Sequence, residues 1–112
     1  MKFDKAELKV KAGTGVELAF TNNDPMPMMH NLVLVKPGSR IEIVTAAATM
    51  GAAGMANSFV PESEKVLAAT PLVLTGNTYK LYFKAPTTPG KYEYICTYPG
   101  HGLTMWGTLV VE

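Results

Sequence analysis

Four side chains carry the donor atoms that chemistry in this chain would use. Cys96, His101 and Met105 share one short run, Cys96-Thr97-Tyr98-Pro99-Gly100-His101-Gly102-Leu103-Thr104-Met105. His30 is the only other histidine, and Cys96 is the only cysteine. The spacing is Cys-x4-His-x3-Met. Pro99-Gly100 is a turn signal, which lets the chain fold back and aim a thiolate and an imidazole at one point. A thiolate, two imidazoles and one thioether are the donor set of a type 1 copper centre, a trigonal His2Cys plane with a weak axial methionine. Soft sulfur donors favour Cu(I), and imidazoles suit both oxidation states, so the set serves either state with little rearrangement. Binding requires Cys96 as a thiolate and both histidines neutral at the ligating nitrogen.

Taken singly, each of these residues has a plainer reading. A lone cysteine is most often a small buried hydrophobe. His101 alone reads equally as a solvated loop residue, and Met105 beside Trp106 as core packing. The four-residue pattern favours the metal reading for all of them. His30 has the weakest local signal, but no other histidine exists to complete the plane. Met26, Met28 and Met29 stay open between a copper-loading cluster and an apolar surface loop, the latter favoured because methionine suits adaptable contact surfaces. Met50 and Met55 read as packing residues, and Glu62 and Glu64 as solvated.

Strands must position these donors. Ala6, Leu8 and Val10 alternate with charged residues, as do Val16, Leu18 and Phe20 after the Gly13-Thr14-Gly15 turn. The run Asn31 to Val35 is apolar on both faces, as a central strand requires, and His30 stands at its start. Ser39 and Glu42 have capping-box spacing and open one helical segment through Ile41, Val44, Ala47 and Ala48. Gly51 and Gly54 are expected to fray or end it. Asn57 to Pro71 reads as irregular, with a short strand near Val66 to Ala68. Tyr79, Leu81 and Phe83 mark another strand. Tyr92, Tyr94 and Cys96 share the inward face of the next, and Gly107 to Glu112 closes the chain. About seven short strands with polar turns predict an antiparallel β-sandwich with one short helical insertion. Packed so, the strand ends bearing His30 and Cys96 meet at one pole.

Composition narrows the function classes. The chain has 112 residues, the size of one domain, and a formal net charge of +1. That balance argues against nucleic-acid binding and against strong electrostatic steering. The lysines at 5, 9 and 11 read as the outer face of a strand. A single cysteine excludes an internal disulfide and a four-cysteine zinc site. The longest low-charge stretch, residues 43–60, is too short and too weakly apolar to span a bilayer. No export signal is read at Met1-Lys2-Phe3-Asp4, so a cytoplasmic protein, or a mature or excised domain, is expected.

On His30-Asn31, the run from Cys96 to Met105 and the closing Gly-Thr-Leu-Val-Val-Glu, the chain resembles the cupredoxins, in particular their azurin–auracyanin branch. The resemblance covers essentially the whole chain, residues 1–112, and extends to cupredoxin modules attached to larger redox proteins. It implies a Greek-key β-sandwich binding one type 1 copper ion. His30, Cys96 and His101 would be equatorial ligands and Met105 the axial one. Asn31 would tie its strand to the ligand loop through Thr97, and the amides of Asn31 and Tyr98 would donate to the thiolate. The Met29 carbonyl corresponds to an extra azurin ligand, but the side chain at Met29 departs from azurin's glycine and argues against that role. The resemblance further implies a monomeric one-electron carrier, not an enzyme, outside the cytoplasm. Redox partners would dock on uncharged surface around a near-surface His101, with Met26 to Met28 extending the patch. A copper carrier or chaperone is the alternative.

Overall fold

A computed structural model describes residues 1–112. Seven strands run in chain order as β1 (Glu7–Val10), β2 (Gly15–Thr21), β3 (Val33–Val35), β4 (Val66–Ala69), β5 (Thr78–Lys84), β6 (Gly90–Ile95) and β7 (Trp106–Val111). Two helices, α1 (Arg40–Ala48) and α2 (Ala53–Ala56), separate β3 from β4. One sheet has the order β1-β7-β6-β3-β4, and β2 pairs with β5 in the other. The expected sandwich is therefore present, and its inner faces meet as the period-two patterns require. Phe20, Leu34, Leu81, Tyr92, Tyr94 and Leu109 form the core between the sheets.

One pairing departs from the antiparallel expectation. β1 runs parallel to β7, with Glu7 opposite Thr108 and Val10 opposite Val111. The other strand pairs are antiparallel. Alternation in β1 showed which side chains face inward, but it carries no information on the direction of a partner strand. As a result Met1 lies at the same end of the sandwich as the ligand run, where its carbonyl accepts from the Thr104 hydroxyl at 3.4 Å. Glu112 lies at the far end, where its amide donates to the Val10 carbonyl.

β3 is buried at every position because it is covered twice. Leu34 faces the inter-sheet core, whereas Val33 and Val35 pack with Ile95 against Ile43 of α1. The helical insertion thus forms a third layer over β3 and β6. Helix α1 buries Ile43 and Ala47, one turn apart. Its expected capping box does not form. Ser39 has helical backbone angles and makes no side-chain cap bond, so its hydroxyl is not presented to the first-turn amides. Glu42 instead pairs with Lys65 at 2.6 Å. The helix ends at Ala48, ahead of both glycines. Gly51 takes a positive φ of 60°, whereas Gly54 lies within α2, where the Phe59 ring occupies the place of a Cβ.

Candidate metal centre

The elements bring three predicted donors together at one pole. His30 forms an isolated bridge with Val73 just before β3: its amide donates to the Val73 carbonyl at 3.2 Å and its carbonyl accepts from Val73 at 2.7 Å. Cys96 directly follows β6. The Cys96 amide donates to the Met105 carbonyl at 3.0 Å, which closes the ligand loop at its base. Within the loop Gly100 has a φ of 87°, and the His101 amide reaches back to the Tyr98 carbonyl at 2.9 Å. This is the turn that Pro99-Gly100 encodes.

Nδ1 of His30 and Nδ1 of His101 lie 3.2 Å apart. The Cys96 Sγ lies 3.8 Å from the first and 3.6 Å from the second. Donors set about 2.0–2.3 Å from a common centre in one plane would stand roughly 3.5–4 Å apart, so the triangle fits a bound ion with small adjustments. All three residues are buried. Burial pushes the Cys96 thiol up, and the amides of Asn31 and Tyr98 pull it part of the way back. Burial, and then the neighbouring His30, hold His101 below the ordinary histidine value. At neutral pH the His101 ring is accordingly uncharged, as metal ligation requires.

Met105 is buried, and its backbone is bonded to both partners in the loop, donating to the His101 carbonyl at 2.8 Å and accepting from Cys96. Asn31 and Thr97 form the expected tie. The Asn31 side chain donates to Thr97 Oγ1 and accepts from the Thr97 amide, each at 2.8 Å. The Thr97 hydroxyl in turn donates to the Phe59 carbonyl at 2.7 Å.

Two features were not foreseen. Asp24 Oδ2 lies 2.9 Å from His30 Nε2, and this hydrogen bond, followed by one from the Met26 amide, holds its carboxyl below the ordinary range. With Nε2–H donated to the carboxylate, the Nδ1 lone pair of His30 is left free to face the other donors. Nothing in Asn22-Asn23-Asp24-Pro25 beyond its turn chemistry signalled this role. The second feature is a correction: His101 is only 4% exposed. The Tyr98 ring lies 4.8 Å from the His101 ring, and His30 4.9 Å from it. The near-surface histidine expected from the resemblance is buried here, with the Tyr98 ring beside it and Tyr98 in turn edge-on against Phe59.

The family profile described as copper binding proteins, plastocyanin/azurin family, matches residues 1–112. The chain belongs to this family. Among its curated relatives, auracyanin-A of Chloroflexus aurantiacus is 40% identical over 112 residues, covering all of this chain and 68% of that protein. Auracyanin-B of the same organism is 35% identical over 99% of this chain, which spans 47% of that longer relative. The solved structure of auracyanin A, described as a "blue" copper protein, superposes with a TM-score of 0.87 at 38% identity, covering 99% of this chain and 89% of that one. Family membership and the convergent His-Cys-His cluster make this cupredoxin a type 1 copper electron-transfer protein with copper as its cofactor.

Proposed function

We propose that His30 and His101, each through Nδ1, Cys96 through Sγ and Met105 through its thioether would together hold one copper ion. The observation that carries this is the triangle of donor atoms with sides of 3.2, 3.6 and 3.8 Å. Bound copper supplies a one-electron couple between Cu(II) and Cu(I). The residues around it keep the donors in place. Asp24 fixes the His30 tautomer, Asn31 and Thr97 lock the Cys96 end of the loop to β3, and the Asn31 and Tyr98 amides stabilise the thiolate. Such hydrogen bonds orient ligands and tune a centre's potential. We assign no role as a ligand to the Met29 carbonyl.

The protein then acts as a carrier of single electrons between redox partners, not as an enzyme: with both histidines in one site, no histidine set is left for a second, catalytic copper. Docking falls on the apolar surface at the metal pole. Leu103 in the ligand loop, Met26 and Leu74 are all more than half exposed. The hydroxyl of Thr75, the residue after Leu74, donates to the Met26 carbonyl at 3.2 Å. His101, only 4% exposed, offers no bare imidazole edge to that surface. The resemblance supports a monomeric domain over 1–112 working outside the cytoplasm; no helix is long and apolar enough to cross a membrane. Three fully buried donors suit a copper carrier poorly, because hand-off needs exposed ligands.

Visible absorption after Cu(II) addition tests the assignment. The intact protein is expected to give an intense blue band, and Cys96→Ser to lose it. A Cys96→Ser protein that stays blue would exclude the thiolate as ligand.

A further inference from the structure

The helical insertion between β3 and β4 reaches the metal pole by two routes that its packing on β3 does not require. The first is Arg40. Its Nη1 donates to the Gly102 carbonyl at 3.1 Å. Its guanidinium carbon lies 4.4 Å from the centre of the Trp106 ring, and its Nε lies 3.5 Å from Glu93 Oε2. Gly102 directly follows His101, Trp106 directly follows Met105, and Glu93 lies on β6, the strand that ends just before Cys96. One planar side chain therefore touches a neighbour of two proposed ligands and the strand that delivers the third. Val44, one turn farther along α1, fills the space over Gly102 that a Cβ would need.

The second route is the end of the insertion. Ser58 and Phe59 both have left-handed backbone angles, with φ of 55° and 54°. Two consecutive non-glycine residues in this region are strained, and such strain persists only where the surroundings over-determine it. What the strained pair presents is its carbonyls. Ser58 accepts from the Asn31 side chain at 2.8 Å, and Phe59 accepts from the Thr97 hydroxyl. The Phe59 ring meanwhile supports Tyr98 over His101.

We infer that residues 40–60 form a built-in wall of the copper centre, and that Arg40 is the positioning residue through which this wall holds the ligand loop. The inference rests on the ligand assignment above. A lysine cannot substitute, since a single ammonium cannot bond Gly102 while stacking on Trp106 and facing Glu93.

The test uses the copper-loaded protein and three variants, Arg40→Met, Arg40→Lys and Glu93→Gln. Copper loss to an excess of Cu(I) chelator is expected to quicken about tenfold in Arg40→Met, and by a smaller factor in Arg40→Lys. Both should also shift the Cu(II) hyperfine splitting in electron paramagnetic resonance, which a loss of fold stability alone would leave in place. Glu93→Gln keeps the bond to Gly102 and is expected to match the parent in both readouts. Release and splitting at parental values in Arg40→Met would overturn the inference. If that variant does not fold, Arg40→Lys decides on the same two readouts. Glu93→Gln behaving like Arg40→Met would also overturn it, because the ion pair and not the loop contact would then be responsible. A parent protein that never turns blue would defeat the ligand assignment itself, a result distinct from a blue parent with indifferent Arg40 variants.

Discussion

The proposed ligands His30 and His101 present the same Nδ1 atom to the site but are held unequally. His30 is braced by a carboxylate, whereas the only ring-nitrogen contacts of His101 are those its Nδ1 makes within the cluster. Asp24→Ala is therefore expected to weaken Cu(II) binding by about tenfold or more and to raise the reduction potential, because an anion beside the centre favours the more positive copper state. Titration with a competing Cu(II) chelator and voltammetry check this; an unchanged potential would mean that the carboxylate does not act on the metal. Met105→Leu is expected to keep copper and raise the potential, since a weak thioether donor is lost. Wholesale loss of copper would show Met105 to be more than an axial contact. The convergence of His30, Cys96 and His101 was legible because cysteine and histidine are scarce here and their spacing is specific. Asp24 was not, because its role depends on the path of the Asp24-Pro25-Met26-Pro27 loop back toward His30, and no periodicity encodes that path. The burial of His101 was hidden for a similar reason: it involves contacts with His30 and Tyr98 that only the folded chain brings together.

At the scale of elements, the insertion is held to the sandwich by a small apolar cluster of Val33, Val35, Ile43 and Ile95. Ile43 is 1% exposed, so Ile43→Ala should cost about 2–5 kcal/mol of stability, a lost transfer energy plus a cavity. Urea unfolding of the metal-free protein measures it, and a loss below about 1 kcal/mol would show that the layer collapses onto the gap. The presence of the helix was readable from the sequence but its buried face was not: of Ile41, Val44, Ala47 and Ala48 only Ala47 is buried, while Ile43 makes the main contact. The start of the helix differs from the expected capping box: Ser-x-x-Glu spacing forms one only when the serine adopts an extended backbone, and Ser39 does not. Strand positions followed well from alternation. β4 needed more than pattern, because Val66–Ala69 is half-buried and owes its order to pairing with β3.

For the molecule as a whole, a net charge of +1 and an apolar metal pole predict association governed by contact and not by long-range fields. The rate of electron transfer with a protein partner should change less than about threefold as salt rises from low to physiological strength, against the 10–10³ range of steered pairs. Stopped-flow mixing at graded ionic strength measures it, and a steep salt dependence would reveal a charged docking face elsewhere. The parallel pairing of β1 with β7 bears on how the molecule can be attached to anything. Both strands leave the metal pole together, so residue 1 sits beside the ligand loop and residue 112 sits a strand's length away, roughly 20 Å. An electrode linker at residue 112 would turn the copper toward solution and leave it free for a soluble partner. The same linker at residue 1 would press the copper toward the surface, favouring direct exchange with the electrode and shutting the partner out. The two ends of this chain thus act as opposite handles on one redox centre.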